Sequence, residues 1–162
     1  MVGNLGIAII DGLVNAPAEK SKELPFTRYI ACVRSENSEK RLAERFVKYL
    51  DKISLSRGHN VQAVHDADVV ILGADPADIE TVLTQPGLRE AFADKLIISI
   101  AAGWTRQKLE ATIYGSATTA DNTAGRAWVV RTLPNIAAQV SQSLTAIETS
   151  EPALPEQYLQ IT

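Results

Sequence analysis

The chain has 162 residues, enough for one domain with its own hydrophobic core, and its 46% hydrophobic and 22% charged residues are those of an ordinary globular protein. A net charge of −3 with no basic stripe argues against a nucleic-acid footprint, and no apolar run approaches the roughly 20 residues that span a bilayer. Cys32 is the single cysteine, which excludes an internal disulfide and a cysteine-rich metal site and fits a reducing compartment, most simply the cytoplasm. The opening Met1-Val2-Gly3-Asn4 lacks the basic and apolar regions of a signal peptide.

In chain order, Ile7, Ala8, Ile9, Ile10 and Leu13 follow two glycines and predict a short buried helix. Residues 14–25 are polar, with two prolines, and read as a solvated loop. Arg28 to Val33 is a strand by its β-branched and aromatic content. Over Ser38 to Leu50, Leu42, Phe46, Val47 and Leu50 fall at helical spacing between charges. A short strand over Ile53 to Ser56 and a brief helix over Val61 to Ala67 come next. Val69-Val70-Ile71-Leu72 and Leu96 to Ile100 are continuous apolar runs, the mark of strands covered on both faces. Between them, Ile79 to Leu83 and Leu88 to Phe92 read as helix, broken at Pro86-Gly87. Trp104 to Ile113 is helical, Gly115 to Gly125 is a small-residue loop, and Trp128 to Arg131 and Leu144 to Ile147 are strands. This alternation predicts a single α/β domain over 1–162, Rossmann-like and doubly wound, with a mainly parallel sheet and helices on both faces.

Ligands of such sheets bind beyond the carboxyl ends of the strands, so the residues that follow each strand are the candidates. Gly3-Asn4-Leu5-Gly6 opens the first helix, where free N–H groups and the positive end of the helix dipole suit a phosphate. These are the last two glycines of a Gly-x-Gly-x-x-Gly pattern, with Met1 in place of the first; the plainer alternative is a tight helix start. Arg34 and Ser35 follow the strand at Arg28, where an arginine suits a 2′-phosphate and an acid would suit a ribose; a surface arginine is the other reading. Gly73-Ala74-Asp75-Pro76 and Ala101-Ala102-Gly103 end the two apolar strands and leave room for a flat ligand, or are simple turns. Asn135, after Leu133-Pro134, can bond a carboxamide or sit in a turn. His59 and His65 lack partners at metal-ligand spacing and read as surface residues, and Trp104 and Trp128 read as packing residues.

Together the blocks resemble the pyrroline-5-carboxylate reductase family. Gly3-Asn4-Leu5-Gly6-x-Ala8 resembles its Gly-Asn-Met-Gly-x-Ala fingerprint, and Ala67 to Leu72 followed by Asp75-Pro76 resembles its Ala-Asp-Val-Val strand ending in Lys-Pro. Leu96 to Gly103 is similar to its strand ending in Ser-x-Ala-Ala-Gly, and Val130 to Asn135 to its Val-x-Arg-x-Met-Pro-Asn segment. Ser143-Leu144-Thr145-Ala146 resembles the strand that follows. The long loop before Arg28 is most like that of fungal members.

The resemblance implies hydride transfer from NADPH, with NADH possible, to the C=N bond of 1-pyrroline-5-carboxylate, a small imine, to give proline. It implies a diphosphate on Asn4, Leu5 and Gly6, the 2′-phosphate at Arg34 and Ser35, and the ribose at Asn60. It puts the nicotinamide half along residues 73–76 and 101–103, with Asn135 near the carboxamide. Against the family pattern, the first strand and first glycine are expected to be missing, Asp75 replaces a lysine, and the helical domain that dimerises the family is absent. The family is homo-oligomeric, and no nucleic acid or membrane partner is implied. Two alternatives stay open: a non-catalytic nucleotide-binding or interaction module, and another reductase with the same domain, such as a deazaflavin-dependent NADP reductase or a hydroxyacid dehydrogenase.

Overall fold

The computed structural model describes residues 3–16, 26–115, 125–134, 144–148, 153–159 and 161. The predicted loops over 14–25 and 115–125 fall largely outside the described residues. The described residues form six strands: β1 (Tyr29–Val33), β2 (Ile53–Arg57), β3 (Val69–Leu72), β4 (Leu96–Ser99), β5 (Trp128–Leu133) and β6 (Ala146–Ile147). They alternate with α1 (Asn4–Val14), α2 (Glu36–Arg45), α3 (Asn60–His65), α4 (Ile79–Leu83), α5 (Leu88–Ala91), α6 (Arg106–Tyr114) and α7 (Glu156–Leu159). This is the expected Rossmann-like α/β architecture. β1 and β2 pair in parallel, and β3, β4 and β5 form a parallel group to which β6 adds antiparallel. The two groups share no strand pairing among the described residues, so β1 and β3 each keep one free edge.

Local chemistry sets the helix ends. The Ser35 hydroxyl accepts from the Ser38 N–H at 3.2 Å and starts α2 two residues earlier than the apolar spacing predicts. Glu36 and Glu39 in its first turn and Arg45 in its last match the helix dipole, and Glu36 and Lys40 pair one turn apart at 2.8 Å. The predicted continuation to Leu50 is corrected: α2 stops at Phe46, and Val47–Tyr49 is a 3-10 turn with Val47 and Leu50 exposed. Phe46 is buried there, and the Tyr49 N–H bonds back to its carbonyl, which tightens the chain and turns the later apolar residues outward. Thr105 caps α6 by accepting from the Lys108 N–H, and Gly115, at φ +88°, closes it.

Among the described residues three apolar clusters hold the layers. The largest joins β3, β4 and β5 to α3, α4, α5 and α6 through Leu72, Ile97, Val129, Phe92 and Trp104. On the opposite sheet face, Leu96 and Val130 meet Leu154, with Trp128 and Tyr158 against them. The third lies between β1, β2, α2 and α1, built on Ala31, Val33, Leu42, Phe46 and Ile53. Two sequence expectations are corrected here. α1 is not a buried helix: Ile7, Ile10 and Val14 pack on the third cluster, but no residue of α1 is fully buried. β3 is not covered on both faces: Ile71 is 41% exposed, because β3 is an edge strand and the cover on that face reaches only part of the sheet. An apolar run records which faces tolerate burial, not which are buried. β4, flanked by two strands, does fulfil the expectation, with Leu96, Ile97 and Ser99 buried. No helix among the described residues is long and apolar enough to cross a membrane.

Candidate cofactor site

Parallel strands put their carboxyl ends on one side, where the start of α1 approaches the turn after β3 and the end of β1 approaches the residue before α4. α1 begins at Gly3, which has no side-chain cap, and its first intrahelical bond runs from the Ile7 N–H to the Gly3 carbonyl at 2.9 Å. The N–H groups of Asn4, Leu5 and Gly6 have no earlier turn to bond, and no acidic side chain lies in the first turn. That end abuts the turn after β3: a Cβ built on Gly3 would lie 3.9 Å from the Gly73 carbonyl oxygen. An eleven-residue helix aimed this way offers a concentrated set of donors to an anion.

Arg34 projects from the end of β1 and bonds Asp78, just before α4, at 2.9 Å. Beneath this pair lies a cavity of about 200 Å³, walled on one side by Val33, Arg34, Gly58 and Asn60 and on the other by Asp78, Thr81, Val82 and Gln85. Asn60 donates to the Gln85 amide oxygen at 3.2 Å, so both amides are held at the rim while Val33 and Val82 give apolar walls. This lining suits a flat heteroaromatic ring with a polar substituent. Sequence reasoning passed over Gly58, Thr81, Val82 and Gln85. Gly58, at φ +79° after β2, carries the same strand-end glycine signal as Gly73 and was findable; the α4 residues carry no local signal.

The turns after β3 and β4 are tied together. The Ile100 N–H bonds the Leu72 carbonyl at 3.1 Å, and the Trp104 indole N–H donates to the Pro76 carbonyl at 3.0 Å. Trp104 is thus a packing residue that also fixes the site edge, with the Lys108 ammonium 4.0 Å from its ring centre. Ala74 and Ala101 bury their methyl groups in the main core, whereas Ala102, Gly103, Asp75 and Pro76 are exposed. The Asp75 carboxylate accepts from the Ala77 N–H at 3.0 Å and so shapes its own turn. Ser35 spends its hydroxyl on the α2 cap and on Ser38. Asn135 lies outside the described residues. His59 and His65 are exposed, and burial pushes the Cys32 thiol above its ordinary value, partly offset by a hydrogen bond with Ser56. Among the described residues no three His, Cys, Asp or Glu side chains converge on a metal position.

Residues 2–103 match the protein family described as NADP oxidoreductase, coenzyme F420-dependent. The chain is 34% identical to a pyrroline-5-carboxylate reductase of Lophium arboricola over 94% of its own length and 51% of the relative's. It is 30% identical to a Delta-1-pyrroline-5-carboxylate reductase of Curvularia clavata over 100% and 51%, respectively. Among solved structures, a pyrroline-5-carboxylate reductase from Coxiella burnetii superposes at a TM-score of 0.73 with 22% identity, covering 98% of this chain and 50% of that one. The Streptococcus pyogenes enzyme superposes at 0.64 with 30% identity, covering 99% and 49%. The chain therefore spans about half the length of the relatives it matches.

Proposed function

We propose, from the premise that this chain belongs to the NADP oxidoreductase, coenzyme F420-dependent family, that it is the NADPH-binding part of a pyrroline-5-carboxylate reductase. The reading is supported by two juxtapositions at the carboxyl ends of the strands, the α1 N-terminus beside the Gly73 turn and the Arg34–Asp78 pair at a cavity between the end of β1 and α4. Asn4, Leu5 and Gly6 hold the diphosphate through backbone N–H groups, which need no side-chain reorganisation to do so. The adenine enters between Val33 and Val82, Asn60 meets the ribose, and Arg34 takes the 2′-phosphate, with Ser35 beside it. The Gly73–Pro76 and Ala101–Gly103 turns border the nicotinamide half, with Asn135 at the carboxamide, and their cross-tie through Trp104 keeps that border rigid. When bound, the cofactor supplies the hydride that reduces the imine carbon; the protein's part is to fix its position. The pyrroline-5-carboxylate reading is preferred to another member of the same family because these relatives align over 94–100% of the chain, past residue 103 and through β5. The lone thiol fits a reducing compartment such as the cytoplasm, and the family that the sequence resembles is homo-oligomeric at full length.

The test is titration of NADPH, followed by an assay of imine reduction with 1-pyrroline-5-carboxylate. Saturable NADPH binding is expected, turnover would extend the reading to the whole reaction, and no binding of either nicotinamide cofactor refutes the proposal.

Asp75 stands where the resembling family carries lysine, beside an anionic ligand on this reading. Asp75→Asn keeps an acceptor for the Ala77 N–H and removes the charge. It should tighten NADPH binding about two- to five-fold at low ionic strength, with the gain fading at high salt. Isothermal titration at two salt concentrations checks this; an unchanged dissociation constant at low salt would mean that the carboxylate is remote from the phosphates.

A further inference from the structure

Arg34 is not a free cation waiting for a phosphate. Its guanidinium already bonds a carboxylate, Asp78 Oδ2, at 2.9 Å, and the two residues come from positions 44 apart in sequence, at the ends of β1 and the β3–α4 turn. Among the described residues that line the cavity beneath them, Arg34 and Asp78 are the two charged ones; the rest are valines, amides, a glycine and a threonine. The rim of the cavity therefore carries no net charge. A 2′-phosphate brings about two negative charges to this rim, and either it displaces Asp78 from the guanidinium or it binds the opposite edge with a carboxylate nearby. A ribose bearing only hydroxyl groups meets neither obstacle. The ion pair is also easily opened, since the Arg34 side chain is 71% exposed and the Asp78 side chain 35%, and such pairs contribute little to folding.

We infer that Asp78 is a specificity-determining residue that weakens the site's preference for NADPH over NADH by neutralising Arg34. The inference rests on the cofactor reading above and deepens it: the arginine alone would mark a strict NADPH site, and the paired carboxylate makes the site tolerant of both cofactors. Asp78 makes no side-chain cap to α4, so the isosteric Asp78→Asn removes the charge without removing a structural bond other than that to Arg34.

The experiment measures NADPH and NADH dissociation constants for the full chain, for Asp78→Asn and for Asp78→Ser, at low and near-physiological salt. Asp78→Asn is expected to tighten NADPH about three- to ten-fold at low salt and leave NADH within about two-fold, so that the ratio of the two constants moves by nearly the whole effect. Asp78→Ser should move the ratio in the same direction. If NADPH binds the wild type but the ratio is unchanged in both variants, or NADPH weakens because Asp78 was holding Arg34 in its binding pose, the role given to Asp78 is overturned while the cofactor reading stands. If neither cofactor binds the wild type, the cofactor reading fails and takes this inference with it.

Discussion

Replacing Phe92 by alanine should lower the free energy of unfolding by about 3–5 kcal/mol. Phe92 is 1% exposed and sits just after α5, inside the cluster that joins β3 and β4 to the helices on their inner face. Its neighbours in that cluster, among them Leu72, Ile79, Leu83, Leu88 and Ile97, come from separate elements fixed by their own pairings, so they cannot close together over the lost ring. The loss is a large share of the roughly 5–15 kcal/mol that holds a domain of this size together. Urea unfolding followed by tryptophan fluorescence checks it, because Trp104 lies in the same cluster. Leu144→Ala is the matched control: Leu144 is 82% exposed, and its truncation should move stability by less than about 0.5 kcal/mol. Equal effects from the two variants would place Phe92 outside the folding core.

Arg34→Ala should weaken NADPH binding about 10- to 100-fold, which corresponds to the loss of charge-assisted hydrogen bonds to a phosphate. NADH should be affected about two-fold or less, because it has no 2′-phosphate for the guanidinium to meet. Arg34→Lys should fall between, keeping the charge and losing the planar fork. Folding should change little, since the ion pair with Asp78 is an exposed one. Parallel titrations of the three proteins with both cofactors decide the matter; equal losses for NADPH and NADH would mean that Arg34 supports the fold of the cavity and does not touch the 2′-phosphate.

The strand–helix alternation was legible because it rests on local composition. Val69–Leu72 has the predicted boundaries to the residue, and Ile53–Arg57 and Leu96–Ser99 differ from prediction by one residue at an end. What was not legible depended on distant partners. The exposure of Ile71 follows from β3 being an edge strand, which no property of the run itself encodes. The end of α2 at Phe46 follows from one buried ring, while the spacing of Leu42, Phe46, Val47 and Leu50 is equally good for a longer helix. Of the candidate site, local sequence placed Gly3 to Gly6 at the start of the first helix and Arg34 just after a strand, and both lie there. The Asp78 partnership was invisible, because a contact between positions 44 apart leaves no pattern in the intervening sequence. Ser35, which the resemblance puts at the 2′-phosphate, also caps α2, a structural role that the sequence reading did not assign to it.

Among the described residues the two strand groups have separate apolar cores and no shared ladder, and the contacts between them include α3 against β1 and β2, the Arg34–Asp78 pair, and Gly3 beside Gly73. The last two of these belong to the proposed cofactor site, so a dinucleotide bound there would lie along the seam and act as mortar between two masonry courses. Its occupancy then governs not only how stable the protein is but whether it melts as one body. With the seam empty, the β1–β2 part is expected to open before the β3–β5 part, so that calorimetry shows two transitions; with NADPH bound, mass action should tie the two openings into one.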